Sequence, residues 1–465
     1  MGSLLIAGFM NLIDVTIVNV AIPSLQAAFA ATDSQIEWVV AAYIMSFALA
    51  LIPAGRFGDA IGRRRMFVAG VCVFVAGSAL CGLAQSMETL LAARIVQGIG
   101  GAMVAPQTLA LVPVLFPPRE RGLAYALFGL SAGLAAVTGP VLGGLLIAAD
   151  FWGLGWRPIF LVNIPVGALA VLAALRFVPP VPGDRGLRID WVGVVLAGAA
   201  LLMILFPLIE GRQFGWPRWC FYLMAAALPT AAAFVWWQHL RARWGRSQLL
   251  PVSLFANRSY MLGTGIVVLM FAGIPGFFLV LAILLQIGNG LTPLQSGLTS
   301  VPFSLGVLFA SLVSGALGLR RPRLRIMVGG LLLALGMVLF RAVLPDVGEA
   351  LSRASLIVPL AIAGIGLGTG ISPLFQTVLS NVPDRDSGAA SGALQAFQQV
   401  GGALGLAVIG EIFFSHLRRN LGDAGAPEAV YSAALANALV PSIIAYLALA
   451  FVVWRLPRPQ AAAQH

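Results

Sequence analysis

The sequence predicts an all-α polytopic membrane protein, built as two six-helix bundles with two extra helices between them. Three observations predict it. Of 465 residues, 60% are hydrophobic and 10% charged, and the mean hydropathy is +0.95. That is more apolar surface than a soluble core hides, but a bilayer hides it. Apolar stretches recur along the whole chain, and many reach the roughly 20 residues that cross ~30 Å of hydrocarbon. They lack the two-residue alternation of barrel strands, so they read as helices. Finally, the arginines crowd into alternate loops, as they do in a multi-pass protein.

The hydropathy pattern gives fourteen spans, at about 3–25, 36–56, 66–85, 89–113, 122–148, 157–177, 190–209, 219–239, 260–286, 293–317, 325–344, 354–379, 389–414 and 430–454. No basic residue precedes Arg56, and Asp14 interrupts the first apolar run, so that run is a span rather than a signal peptide. Twenty arginines fall after even-numbered spans, beginning with Arg56, Arg63, Arg64 and Arg65, and only six fall after odd-numbered ones: Arg157, Arg212, Arg218, Arg353, Arg418 and Arg419. A miscounted helix would scramble that split. It places both termini in the cytoplasm and the protein in a cell inner (cytoplasmic) membrane.

The net charge of +11 is carried by arginine alone. Membrane topology explains it, and no nucleic-acid partner is called for. Without lysine the chain holds neither a phosphate-binding Walker A loop nor a Schiff base. Any transport it drives draws on an ion gradient or on another subunit. Cys72, Cys81 and Cys220 lie in or beside apolar spans and read as small buried hydrophobes. Neither a disulfide, a metal site nor a cofactor is expected.

The chain repeats itself weakly. Gly55-Arg-Phe-Gly58 with Arg63 and Arg65 aligns with Gly315-Ala-Leu-Gly318 with Arg323 and Arg325. Pro117–Gly122 aligns with Pro383–Gly388, and Gly98-Ile-Gly100 with Gly364-Ile-Gly366. Spans one to six thus correspond to spans nine to fourteen. The division is 1–178 for an N-terminal bundle, 179–245 for the inserted pair, 246–456 for a C-terminal bundle and 457–465 for a tail. Two parallel six-helix repeats are a transporter architecture, with the site at their interface near the midplane.

The polar residues inside the spans are the candidate site. Asp14 lies near the middle of span one, where an aspartate costs about 2.5–3.5 kcal/mol on insertion scales. Low dielectric favours its neutral form and a nearby arginine its charged form, so binding or a change of exposure could move its proton. The alternative is a structural aspartate bonded to a neighbouring helix. Asn19 supplies a supporting polar group. The loop after span two reads Gly55-Arg-Phe-Gly58-Asp59-Ala-Ile-Gly62-Arg63-Arg64-Arg65. Its glycines permit tight turns and close helix approach. Asp59 is placed to pair with an arginine or to cap a neighbouring helix N-terminus, a clasp of one conformation. A plain basic anchor would explain the arginines, but not the spaced glycines with Asp59. In span four, Arg94 needs a partner or a wet cavity unless it snorkels to the interface, and Gln97 one turn on favours a polar interior. In span five, Gly139, Pro140, Gly143 and Gly144 give a kinkable helix with a flat face. Among the other acids, Glu411 toward the outer end of span thirteen is the nearest rival to Asp14 as a proton carrier.

In this order and on these spans, the motifs resemble those of the major facilitator superfamily, and more narrowly its fourteen-span drug:proton antiporters. The loop at Gly55–Arg65 is similar to the superfamily's general signature, with Ala60 where a basic residue is usual. Arg94–Ala102 resembles the span-four signature and Gly139–Gly144 the antiporter signature. Leu12–Pro23, Trp156–Pro165, Leu249–Asn257 and Asp384–Gly402 also resemble stretches of the fourteen-span group. The resemblance implies a major facilitator fold that exports drugs or toxic small molecules in exchange for protons. Its partners would be small amphiphilic or cationic substrates, protons and the lipid bilayer, with a periplasmic adaptor protein as an additional partner and otherwise a monomer. An uptake symporter on the same scaffold is the alternative. An enzyme is disfavoured, since no metalloprotease or nucleophile-elbow motif occurs. A non-transporting scaffold does not explain the repeat together with an intramembrane charge.

Overall fold

The computed structural model describes residues 2–184, 186–317, 320–344, 352–380, 382–420 and 427–456. Among these there is no strand. The long helices, in chain order, are α1 (Gly2–Phe29), α2 (Asp33–Ile61), α3 (Arg63–Gly82), α4 (Met87–Leu115), α5 (Pro118–Ala148), α6 (Pro158–Phe177) and α7 (Trp191–Glu210). Then follow α8 (Arg218–Arg243), α9 (Arg258–Gly288), α10 (Leu294–Ala316), α11 (Pro322–Ala342), α12 (Ile357–Leu379), α13 (Ser387–Asn420) and α14 (Glu428–Val453).

Twelve helices of the described residues are long and apolar enough to cross a membrane, or thirteen if α1, bent by 47°, is one span. The expected count of fourteen therefore exceeds what the helices establish. The difference lies in α1 and in α5, whose side chains are only partly among the described residues. A reporter fused after His465 is expected to be active only if it works in the cytoplasm. A periplasm-only signal there would overturn the count.

Local chemistry sets the helix limits. Thr32 and Gln35 form a reciprocal capping box at the start of α2, and Ser86 and Thr89 one at the start of α4. Asn257 caps α9 by accepting from the Tyr260 N–H at 3.1 Å. Gly62 divides α2 from α3 at φ +104°, a conformation L side chains avoid. A Cβ there would also stand 2.6 Å from the Val181 carbonyl.

The helix pairs repeat. In the first half α1 packs on α5 and α6, α2 on α4, and α3 on α4 and α6. In the second half α9 packs on α13 and α14, α10 on α12, and α11 on α12 and α14. Each pair matches its partner eight helices on, with α7 and α8 left over as a hairpin. Asp190 holds that hairpin together: it caps α7 through the Gly193 N–H and accepts from Trp237 at 2.9 Å and Gln238 at 2.8 Å on α8. The halves meet where α2 packs on α13, α4 on α13, and α5 on α10 and α12. Glycines set that spacing. A Cβ at Gly55 would overlap the Gly388 carbonyl at 2.1 Å, and one at Gly392 the Leu51 carbonyl at 2.3 Å.

Candidate functional site

The structure brings the intramembrane polar residues of the first half to one place. Asp14 of α1, Arg94 and Gln97 of α4 and Ser78 of α3 are fully buried, and Asn163 of α6 nearly so. Arg94 Nη1 lies 2.5 Å from Asp14 Oδ2 and 2.6 Å from Gln97 Oε1, while its Nε donates to the Val39 carbonyl of α2 at 2.9 Å. Gln97 Nε2 donates to Asp14 Oδ1 and to Ser78 Oγ, both at 2.7 Å. Asn163 Nδ2 reaches the same two acceptors at 3.2 Å. The guanidinium carbon sits 4.3 Å from the Tyr43 ring centre and 5.8 Å from that of Phe160. Tyr43 in turn donates to Asn11 Oδ1 at 2.5 Å.

Small residues allow this convergence. A Cβ at Gly77 would strike the Gln97 backbone at 2.7 Å, and one at Gly98 the Tyr43 carbonyl at 2.6 Å, so α4 approaches α3 and α2 through glycine. A buried arginine–carboxylate pair repays its desolvation only with good geometry and further hydrogen bonds. Here the carboxylate accepts from three donors. The guanidinium is less complete, since Arg94 Nη2 is buried with no hydrogen-bond partner. The network thus holds one negative charge, one positive charge and one unused donor away from solvent. Arg94 does not snorkel toward the end of its span: it is fully buried and turned onto Asp14.

The signature loop lies elsewhere, at the seam between the halves on the side of the arginine-rich loops. Asp59 accepts the backbone N–H groups of Gly388 and Ala389, both at 2.9 Å, at the N-terminus of α13. A carboxylate there meets unpaired donors and the positive end of the helix dipole. Arg63 Nη2 is 3.4 Å from Asp59 and also donates to the Asp384 carbonyl. Arg56 crosses the seam to Asp386 at 2.9 Å. Asp59 therefore both pairs with arginine and caps a helix. Gly55 and Gly62 serve as described above, and Gly58 clears room for the Gln107 side chain. Arg64 donates to the Leu175 carbonyl of α6 at 3.1 Å, within the first half. Behind the clasp lies a cavity of ≈ 80 Å³ whose lining includes Arg121, Tyr125, Gln376 and Ser391.

On α5, Cβ atoms at Gly139 and Gly143 would meet Thr16 at 1.9 Å and Ile17 at 2.8 Å, so both mark close packing on α1. Gly144 has nothing within 4 Å. The side chains of Pro140 and Asn19 lie outside the described residues. Glu411 is not part of the buried network. It accepts from Trp216 Nε1 at 3.0 Å and pairs with Arg418 at 2.7 Å at the C-terminal end of α13. Sequence reasoning missed Ser78, Tyr43 and Asn11 and gave Asn163 no role of its own. Single polar residues in spans carry no spacing signal that would have joined them.

Comparison with known proteins follows this geometry. Residues 4–191 and 181–406 match a family model described as Major Facilitator Superfamily. A probable actinorhodin transporter of Streptomyces coelicolor is 38% identical over 418 residues, covering 90% of this chain and 72% of that protein. The multidrug resistance protein Stp of Mycobacterium tuberculosis is 34% identical over 440 residues, 93% of this chain and 80% of Stp. The tetracenomycin C resistance and export protein of Streptomyces glaucescens is 32% identical over 410 residues, 87% and 74% of the two chains. Among solved structures, the human organic anion transporter MFSD10 (TETRAN) superposes with a TM-score of 0.65 at 15% identity, covering 97% of this chain and 98% of that one. At that identity the likeness speaks for the fold alone.

Proposed function

The chain belongs to the major facilitator superfamily and is a multi-pass membrane transporter rather than an enzyme, and from that premise we propose that it exports small amphiphilic or cationic molecules in exchange for protons. The observation that carries the reading is the buried pair of Asp14 and Arg94. With no lysine in the chain and no histidine near the middle of a span, Asp14 is the group that holds and releases the coupling proton. Arg94 is the cation paired with that carboxylate, at 2.5 Å. Loading the proton frees Arg94, and binding of substrate or a change of exposure returns it to Asp14 and expels the proton. That is a coupling free energy between two ligands, which an exchanger requires.

The two halves, 1–178 and 246–456, rock about the site, with both termini in the cytoplasm of a cell whose inner membrane houses the protein. The clasp of Asp59 on α13 belongs to the state closed on the cytoplasmic side. Three relatives named for transport, multidrug resistance or export favour outward movement over uptake. Accumulation of a panel of cationic and neutral dyes in expressing cells, with and without an uncoupler, tests the reading. Lower accumulation that the uncoupler abolishes is expected; higher accumulation that it abolishes would indicate uptake.

Arg94 has its own expected result. Arg94→Ala leaves Asp14 buried without its cation, a change on the order of 3–5 kcal/mol for a broken buried pair, and export should fall to background. Arg94→Lys keeps the charge but loses the multiple bonds of the guanidinium, and it should retain part of the export rate. Wild-type export by a well-inserted Arg94→Ala protein would remove Arg94 from the mechanism.

A further inference from the structure

A second acid is buried where the hairpin α7–α8 meets both halves. Glu210 is the last residue of α7 and only 1% exposed. Neither of its carboxylate oxygens has a hydrogen-bond partner of good geometry, and among the described residues it belongs to no ion pair. Gln213 approaches it as a loose hydrogen-bond donor, and the charge of Glu37 at the start of α2 acts on it with the same sign. The end of α7 is also the negative pole of its helix dipole. Two cations on this side are engaged elsewhere: Arg212 lies 4.1 Å over the Phe414 ring, and Arg418 holds Glu411 at 2.7 Å. A carboxylate without a counter-ion is costly in such a place.

The surroundings give that charge a mechanical meaning. Phe206, one turn before Glu210, is 6.1 Å from Trp38 of α2 and stacks at 5.9 Å on Trp219 of α8. From the turn that follows, Trp216 donates to Glu411 of α13. The hairpin thus touches α2 of one half and α13 of the other on the arginine-poor side, opposite the Asp59 clasp.

We propose that Glu210 is a second proton-binding site, and that its proton holds the hairpin against α2 by cancelling the repulsion from Glu37. Loss of the proton restores the like charge and loosens the latch, so the contact weakens as pH rises. The proposal rests on the proton-exchange reading for its purpose but not for its test.

The test is carbodiimide labelling of the purified protein in detergent, with dicyclohexylcarbodiimide as probe and peptide mass spectrometry as readout. That reagent modifies protonated carboxyls in apolar surroundings. Glu210 should still label at pH values where exposed glutamates no longer do, and lose labelling as pH rises further. In Glu37→Gln the loss should move to lower pH by about one unit, as expected when a nearby like charge is removed. A Glu210 that never labels between about pH 5 and 9, or labels identically in Glu37→Gln, overturns the proposal. If Glu210 labels as stated while no substrate releases protons from the protein, the site stands and the exchange reading falls. If substrates release protons while Glu210 stays unlabelled, the site falls alone.

Discussion

Asp14→Asn is expected to reach the membrane in wild-type amounts and to export nothing above background. Asparagine keeps the shape and one acceptor for Arg94 Nη1, which lies 2.5 Å from the carboxylate, but it carries no exchangeable proton. It also leaves Arg94 buried with a neutral partner, so part of the ~3–5 kcal/mol for a broken buried pair should appear as a lower melting temperature. Adding Arg94→Gln removes the unpaired charge. The double variant should recover thermal stability and still export nothing, which separates a coupling role from a structural one. Asp14→Glu keeps the proton with one more methylene in a closely packed site, and some export should persist. Drug-susceptibility and dye-efflux measurements on expressing cells, normalised to protein in the membrane, read export by all three variants.

Asp59→Asn is the second large effect. The native carboxylate accepts two backbone N–H groups of α13 and faces Arg63 and Arg56. Hydrogen bonds with an ionised partner contribute about 1.5–3 kcal/mol each, and an amide has one oxygen to offer instead of two. A loss of about 1.4 kcal/mol shifts a two-state equilibrium tenfold. Because the clasp crosses the seam, the shift falls on one conformation and not on folding as a whole. Transport should slow by about that factor, and spin-label distances between the C-terminal end of α2 and the N-terminal end of α13 should lengthen. Wild-type rates with unchanged distances would reduce the loop to a topology signal.

Much of this was legible in the sequence because the membrane imposes simple rules. Spans show as long apolar runs, sidedness shows in arginine, and a charge inside a span must have a partner. Those rules single out Asp14 and Arg94 separately, and the one-turn spacing from Arg94 puts Gln97 on the same face. That the first two touch depends on the rotation and tilt of α1 against α4, which no spacing within either helix encodes. The same holds for Arg56 and Asp386, which stand in separate motifs and join the halves by an ion pair. In the sequence, Glu210 is one acid at the end of an apolar run, with no spacing that marks it. Its burial comes from the Trp- and Phe-rich hairpin folding back onto α2, a tertiary event. At α1 and α5 the count of fourteen rests on hydropathy and the arginine split, since a bend and a long glycine-rich helix blur the helix signal there.

Proton release tests the central claim most directly. Purified protein in weakly buffered detergent, with a pH-indicator dye, receives a substrate identified by the efflux panel. The account predicts release of protons on binding by the wild type and none by Asp14→Asn at the same occupancy. Undiminished release by a folded, substrate-binding Asp14→Asn protein would contradict it.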